Sequence, residues 1–424
     1  MSGFEIIRDP LWDNIQLDPA ARSVLDTPPL QRLRYVRQLG HAFLVYPGAT
    51  HSRFEHALGA YHLTGRALTV LQQRGELERV PVLHQHAVRL AALVHDIGHY
   101  PFSHGLEEAG FLHHESLGVA KLGRGQLGQA LNALGGPELV GEIGSLVRGT
   151  NPGPLQGLVS GTLDLDKIDY LSRDARACGV PYGALDVDRL LSGLTIIAAP
   201  HGRLEVGILE KGMSALETLL FAKYQMYRNV YWHHAVRAAT CMFKRAVRAA
   251  VAGGGLSRDE LAEETDGALM ERLFATDPTG LARAVHERRL YKRALDLPAS
   301  DVPDGAGAWI GDDPDLLERV EDAVARELGL EPASLLLDYP ARPNMLGVDI
   351  LLATREGRAE RLTGEGRAGQ LGLPRIAGEL YRSARHLRVF TAEPLTGSTE
   401  RLGRLALLSA GEVEERLARG RALI

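Results

Sequence analysis

The 424-residue sequence predicts a mainly α protein: a helical body with a short N-terminal β-hairpin and a small C-terminal α/β appendage. Three observations lead there. Apolar residues recur at helical spacing through most of residues 85–252, chain breakers cluster at 253–255 and 298–314, and strand-like runs gather mainly towards the two ends. A chain of this length with 45% apolar residues also exceeds what one core usually organises. The division expected is 1–50 (hairpin and helices), 51–250 (helical core), 251–312 (helical connector and loop) and 313–424 (α/β subdomain).

In chain order, residues 4–17 alternate around Pro10 as a hairpin, and Asp18-Pro19 opens a helix. Thr27 is the expected cap of the next helix, with Pro28 in its first turn and Leu30, Leu33 and Val36 on its buried face. Ser52 and Glu55 have capping-box spacing ahead of Ala57-Leu58-Gly59-Ala60-Tyr61. Helices are expected at 85–97, 115–122, 126–134, 138–148, 155–160, 163–176, 186–192 and, as one long rod, 210–252, with a brief strand at 203–208. Gly253-Gly254-Gly255 ends the rod, because each glycine adds backbone freedom that a helix must give up, and Ser257 is expected to cap a further helix. Beyond the 298–314 linker, 334–340, 347–352 and 387–391 read as strands and 373–384 as a helix; the Arg/Gly-rich segment 355–370 reads as a solvated loop.

The formal charge of −5 offers no global basic surface, so neither nucleic acid nor an acidic membrane is the default partner. Cys178 and Cys241 are too few for a disulfide framework or a thiolate metal cluster. The first residues lack the basic-then-apolar order of a signal peptide, and no apolar run reaches the roughly 20 residues that span a bilayer. A cytoplasmic location is expected.

The histidines are clustered: 11 of 16 lie between His41 and His114. Within that window His95-Asp96 closes the apolar run Ala87–Val94, Gly98 is expected to reverse the chain, and His99 and His104 follow. A His-Asp pair alone leaves an ion under-coordinated. Adding His56 and Asp166 gives two imidazoles and two carboxylates with open positions, a set suited to Mn²⁺, Fe or Mg²⁺ and compatible with Zn²⁺. Arg53 precedes His56 by three and shares its helix face; Tyr170 follows Asp166 by four, with Lys167 and Asp174 near. A metal, an arginine and a lysine on one cleft describe a polyphosphate pocket. Taken singly, Arg53, Lys167 and Asp174 read equally well as surface ion pairs.

Longer strings sharpen this. Residues 31–40 (QRLRYVRQLG), 46–59 (YPGATHSRFEHALG), 95–104 (HDIGHYPFSH) and 165–170 (LDKIDY) resemble, in order and spacing, the deoxynucleoside triphosphate triphosphohydrolases, a branch of the HD-domain metal-dependent phosphohydrolases. The likeness covers roughly residues 4–240. It implies His56, His95, Asp96 and Asp166 as ligands of one divalent metal, with room for a second Mg²⁺ beside the triphosphate. It implies His104 as the catalytic histidine at the α-phosphate, with His99 and His114 nearby and Glu107 orienting His104. Arg53, Lys167 and Lys223 match phosphate-binding positions; Gln38, Leu39, Tyr170, Asp174 and Tyr231 match positions around a sugar tested for a missing 2′-hydroxyl. On residues alone, Leu39, Tyr170 and Tyr231 would pass as core and Lys223 as a solvated lysine.

The implied reaction is hydrolysis of a dNTP to a deoxynucleoside and inorganic triphosphate, with His104 protonating the leaving oxygen; in an alternative role His104 only positions water. Relatives assemble as dimers or tetramers and bind activating nucleotides at subunit junctions. Asp26, Gln31 and Arg34 resemble positions near such a site, although the segment around Leu209 lacks the basic residue some relatives use. Two competing readings are an HD phosphohydrolase acting on an alarmone or nucleoside monophosphate, and a non-catalytic nucleotide- or single-strand-binding protein. Gln38-Leu39 with Arg53 and Lys167 argues against the first, the intact ligand set against the second.

Overall fold

The computed structural model describes residues 5–199, 202–341, 347–363, 372, 376–395, 397 and 399–424. Strands β1 (Glu5–Asp9) and β2 (Asp13–Leu17) form the expected antiparallel hairpin, with Glu5 opposite Leu17. The Asp9 carboxylate closes its turn by accepting from the amides of Leu11 and Trp12, both at 2.8 Å. Helix α1 (Pro19–Leu25) starts where Asp18 accepts from the Ala21 amide, and α2 (Pro28–Arg32) follows with Leu30 buried. Thr27 holds the N-cap position of α2 as expected, but its hydroxyl donates back to the Val24 carbonyl at 2.7 Å instead of accepting from the helix.

The body is built on α3 (Arg53–Gln73), α4 (Val82–Val94), α5 (His114–Leu122), α6 (Gly125–Val147) and α7 (Leu165–Cys178). Ser52 and Glu55 form the full reciprocal capping box that fixes where α3 begins. Helix α3 packs on α4 and α7, and α6 on α4 and α5, burying Leu63, Ala67, Leu71, Ala91, Leu131, Ile143, Ile168 and Leu171 in one core. The two helices expected at 126–134 and 138–148 are the halves of α6, kinked by non-helical Gly135 and Gly136 ahead of Pro137.

Next come α8 (Val187–Gly193), β3 (Leu194–Ala198), β4 (Leu204–Leu209), α9 (Met213–Met226) and α10 (His234–Ala252). The single rod expected at 210–252 is therefore broken. A π-type turn at Tyr227–Tyr231 and an extended His233 (φ −57°, ψ 130°) separate α9 from α10, and the detour brings the Tyr231 hydroxyl 2.7 Å from Asp174. After the glycines, Ser257 caps no helix; α11 (Asp266–Thr276) begins later, capped by Thr265.

Helix α12 (Leu281–His286), β5 (Lys292–Pro298), α13 (Trp309–Asp312), α14 (Pro314–Glu327), β6 (Leu335–Asp338), β7 (Asp349–Ala353), β8 (Ala359–Thr363), α15 (Ala377–Ala384), β9 (His386–Thr391), α16 (Thr399–Gly403) and α17 (Ala410–Ala418) complete the chain. Strand β8 lies within the segment read as a loop, and residues 364–370 of that segment fall outside the described residues, as do 373–375 of the expected helix. The sheet order β5-β9-β6 builds a second core with Trp309, Val320, Leu337 and Val389. The other sheet runs β3-β4-β7-β8, with β7 parallel to β4 and Gly207 opposite Leu351, so residues 349–363 complete a sheet begun in the helical body. No helix among the described residues is long and apolar enough to cross a membrane.

His41 sits in the seam between the body and α10, its ring stacked on Phe102 at 4.4 Å and its Nε2 buried without a partner. Burial, aided by Arg37, pushes its pKa from 6.5 down to about 3. The folded state therefore holds it neutral while the unfolded chain takes a proton below 6.5, so this group erodes stability as pH falls from 6.5 towards 3. The slope is at most about 1.4 kcal/mol per pH unit. Denaturant midpoints between pH 7 and pH 4 should fall less steeply in His41→Phe than in the parent; equal slopes would show that His41 does not contribute.

Candidate active site

Four donors from three elements meet at one corner. His56 lies one turn inside α3, His95 and Asp96 follow the last residue of α4, and Asp166 occupies the first turn of α7, whose N-cap is Asp164. His56 Nε2 is 2.9 Å from Asp166 Oδ1 and 3.3 Å from His95 Nε2, and His95 Nε2 is 3.2 Å from Asp96 Oδ1. The far side of each ring fixes its tautomer: His56 Nδ1 faces Asp169 Oδ2 at 2.7 Å, and His95 Nδ1 faces the Ala92 carbonyl at 2.8 Å. Neutral rings bonded this way aim two bare Nε2 lone pairs at each other, which a shared cation resolves. The residues thus fit a divalent ion. The corner's pull on positive charge shows in His56 itself: burial disfavours its cation, yet Asp166 and Asp169 outweigh burial and raise its pKa to about 10. Loading a metal there displaces that proton.

Beneath the corner is a layer the sequence reading did not assign. Asp169 accepts from Arg173 Nε and Nη2 at 3.0 and 2.9 Å and from the Trp12 indole at 2.5 Å, while Arg173 Nη1 reaches Asp9 at 2.8 Å. Burial would raise the Asp169 pKa, but Arg173 and His56 hold it well below the usual carboxylate range. A signal was present: Asp169 is three residues after Asp166 and four before Arg173, a spacing that pairs on one helix face. Gly59 makes room, since a Cβ there would stand 1.8 Å from Asp169 Oδ1.

Arg53 is buried, with Nη1 2.5 Å from Asp96 Oδ2 and Nε 2.9 Å from Ser103 Oγ. Ser103 and Phe102 both hold left-handed backbone, φ 64° and 56°, rare for residues with a Cβ, and the Phe102 amide donates to Asp266 on α11 at 2.8 Å. Gly98, by contrast, is not left-handed, so it does not act through the reversal expected of it. Its role is close approach: a Cβ there would meet the His114 carbonyl oxygen at 2.0 Å and the Gly118 amide nitrogen at 2.3 Å. Since backbone cannot rotate away, Gly98→Ala should push α5 outward, cost at least about 1–3 kcal/mol in denaturant unfolding and shift His114. A wild-type midpoint would contradict this.

Glu107 sits under four histidines, His99, His104, His113 and His114. Its Oε1 is 2.7 Å from His114 Nδ1 and its Oε2 3.4 Å from His104 Nδ1, so its tighter partner is His114 rather than His104. Burial opposes its ionisation, but the hydrogen bonds from His104 and His114 keep it a carboxylate far below the ordinary range.

One cavity of about 290 Å³ gathers Gln38, Arg53, His56, His95, Asp96, His99, His104, His114, Asp166, Lys167 and Tyr170 on its wall. Lys167 is paired there with Asp164 and donates to the Gly161 carbonyl at 2.8 Å. Lys223 lines an adjoining cavity of about 570 Å³ that shares Lys167, and burial together with Lys167 lowers its pKa to about 8. Leu39, Asp174 and Tyr231 are not on the wall of the metal cavity; Asp174 accepts from Tyr231 and lies 2.8 Å from His51 Nε2. Asp26, Gln31 and Arg34 form a surface set elsewhere, with Arg34 donating to Gln31 at 2.8 Å and stacked 3.6 Å over Phe54.

Residues 53–174 match the HD domain and residues 185–362 the HD associated region. The chain belongs to the HD-domain phosphohydrolase family, and HD domains bind divalent metals. It is 32% identical over 355 residues to an uncharacterized protein of Methanocaldococcus jannaschii, covering 83% of this chain and 73% of that one. It is 26% identical over 342 residues to the human deoxynucleoside triphosphate triphosphohydrolase SAMHD1, covering 68% of this chain and 54% of SAMHD1. The crystal structure of a phosphohydrolase from Bacteroides thetaiotaomicron shares the fold, with a TM-score of 0.71 at 23% identity, over 92% of this chain and 100% of that one.

Proposed function

We propose that the protein hydrolyses deoxynucleoside triphosphates to a deoxynucleoside and inorganic triphosphate by attack of water at the α-phosphorus. The supporting observation is the placement of Arg53 and Lys167 on the wall of the cavity that holds the four metal-type donors. A divalent ion (Mn²⁺, Fe, Mg²⁺ or Zn²⁺) on His56, His95, Asp96 and Asp166 supplies Lewis acidity to the phosphate and the attacking water.

The chain's own groups do the rest. Arg53, immobilised by Asp96 and Ser103, presents buried positive charge that needs no reorganisation when phosphate arrives. Lys167 exchanges Asp164 for the phosphate chain, and Lys223 next door extends the cationic wall. His104 protonates the departing 5′-oxygen from the nitrogen facing away from Glu107, which stays ionised and steadies the ring. Gln38 carries a buried amide oxygen with no protein partner, suited to accept from the 3′-hydroxyl, while Tyr170 crowds the sugar. Assembly as a dimer or tetramer, nucleotide activation near Asp26, Gln31 and Arg34, and a cytoplasmic location belong to the same proposal.

Incubation with each of the four dNTPs, singly and mixed, with Mn²⁺, Mg²⁺ or Fe²⁺, tests it by chromatography of the products. Deoxynucleoside plus tripolyphosphate is the expected pair, and faster turnover in the mixture would reveal an activator. Pyrophosphate plus monophosphate, or hydrolysis of an alarmone alone, would refute the reading.

A further inference from the structure

Four histidines aim the same ring atom at one carboxylate. The Nδ1 atoms of His114, His104, His113 and His99 lie 2.7, 3.4, 3.5 and 3.9 Å from the oxygens of Glu107. A carboxylate has lone pairs for several donors, but these rings cannot all donate. His99 Nε2 faces Asp96 Oδ1 at 3.2 Å, and its Nδ1 is buried without a hydrogen-bond partner. If the proton of His99 goes to Asp96, a bare Nδ1 lone pair points towards the Glu107 oxygen, which is repulsive. The rings of His99 and His114 stack at 3.6 Å and 15°, bringing their nitrogens side by side.

We propose that His99, His104, Glu107 and His114 form a second divalent-cation site, separated from the His56/His95/Asp166 corner by the His99–Asp96 contact. One donor atom from each of the four lies within 4.8 Å of every other, so a single ion can touch them all after small ring rotations. Three nitrogens and one carboxylate select a nitrogen-preferring transition ion of the Zn²⁺ class over Mg²⁺. The ion has a way in, because the side chains of His104 and His113 are 60% and 80% exposed. Occupation takes His104 and Glu107 away from proton handling, so the second ion is inhibitory; this consequence rests on the hydrolytic reading, whereas binding does not.

The full-length protein, stripped by chelator and titrated with Zn²⁺ in the absence of nucleotide, should bind two equivalents by equilibrium dialysis and metal analysis. The H56A/D166N variant should keep one equivalent and the E107Q/H114A variant the other. H104A, which alters an exposed side chain and spares the fold, should weaken the second equivalent at least about tenfold and leave the first unchanged. One equivalent in the wild type, or two of unaltered affinity in H104A, overturns the site. Hydrolysis should drop between one and two equivalents; a flat profile overturns the inhibitory role. Because the titration uses no substrate, its failure is distinguishable from failure of the proposed dNTP hydrolysis.

Discussion

Replacing Arg53 with methionine is expected to destabilise the metal-free protein by about 3–5 kcal/mol and to abolish most hydrolysis. The guanidinium is 2% exposed and faces Asp96, itself 3% exposed, whose carboxylate it helps to hold ionised well below the usual range against the opposing effect of burial. Methionine fills the volume but leaves that charge buried without its strongest partner, and Ser103 loses a donor at a point where the backbone is already held left-handed. Urea unfolding in chelator isolates the folding effect from metal binding. Arg53→Lys keeps a charge but cannot span Asp96 and Ser103 together, so it should fall between the two. A loss under about 1 kcal/mol for the methionine variant would mean that Asp96 is neutralised by some other route.

Asp169→Asn should weaken metal binding about 10- to 100-fold although the residue touches no ion. An amide of the same size can still accept from Trp12 or Arg173, but it removes the negative charge that orients His56 and leaves Arg173 with Asp9 as its remaining carboxylate partner. Competition against a chelator of known affinity gives the number. A change smaller than about twofold would show that His56 is oriented by packing alone.

What could be read from the residues follows from the range of the interactions involved. Ser52 and Glu55 act across three positions, so the start of α3, and with it the face carrying Arg53 and His56, was legible before any coordinates. The cluster of metal-type donors was legible because imidazoles and carboxylates beside apolar helices are chemically conspicuous. The support under it was legible only in part: Asp169 and Arg173 have the spacing of a helix pair, but Asp9 is far away in the chain and looks like an ordinary surface charge until the fold buries it against Arg173. Strand β8 escaped because its residues, Ala359–Thr363, bury only Leu362 and present an edge rich in charge. The break between α9 and α10 escaped because the π-type turn is confined to Tyr227–Tyr231 between two stretches that each keep helical spacing; in the fold the extended His233 and the Tyr231–Asp174 hydrogen bond mark it.

The parallel seam between β4 and β7 carries a lesson for expression and for biogenesis. Asp349, Ile350 and Arg361 line the larger cavity together with Lys223, so that cavity lacks part of its wall until residues up to about 363 have been synthesised. A fragment truncated behind α10 would keep β3 on one side of β4 but leave its other edge, Gly207–Leu209, unpaired and open to intermolecular pairing. Nascent chains must therefore postpone completion of this cavity, whatever helices have already condensed, until a late-arriving strand docks onto an early one.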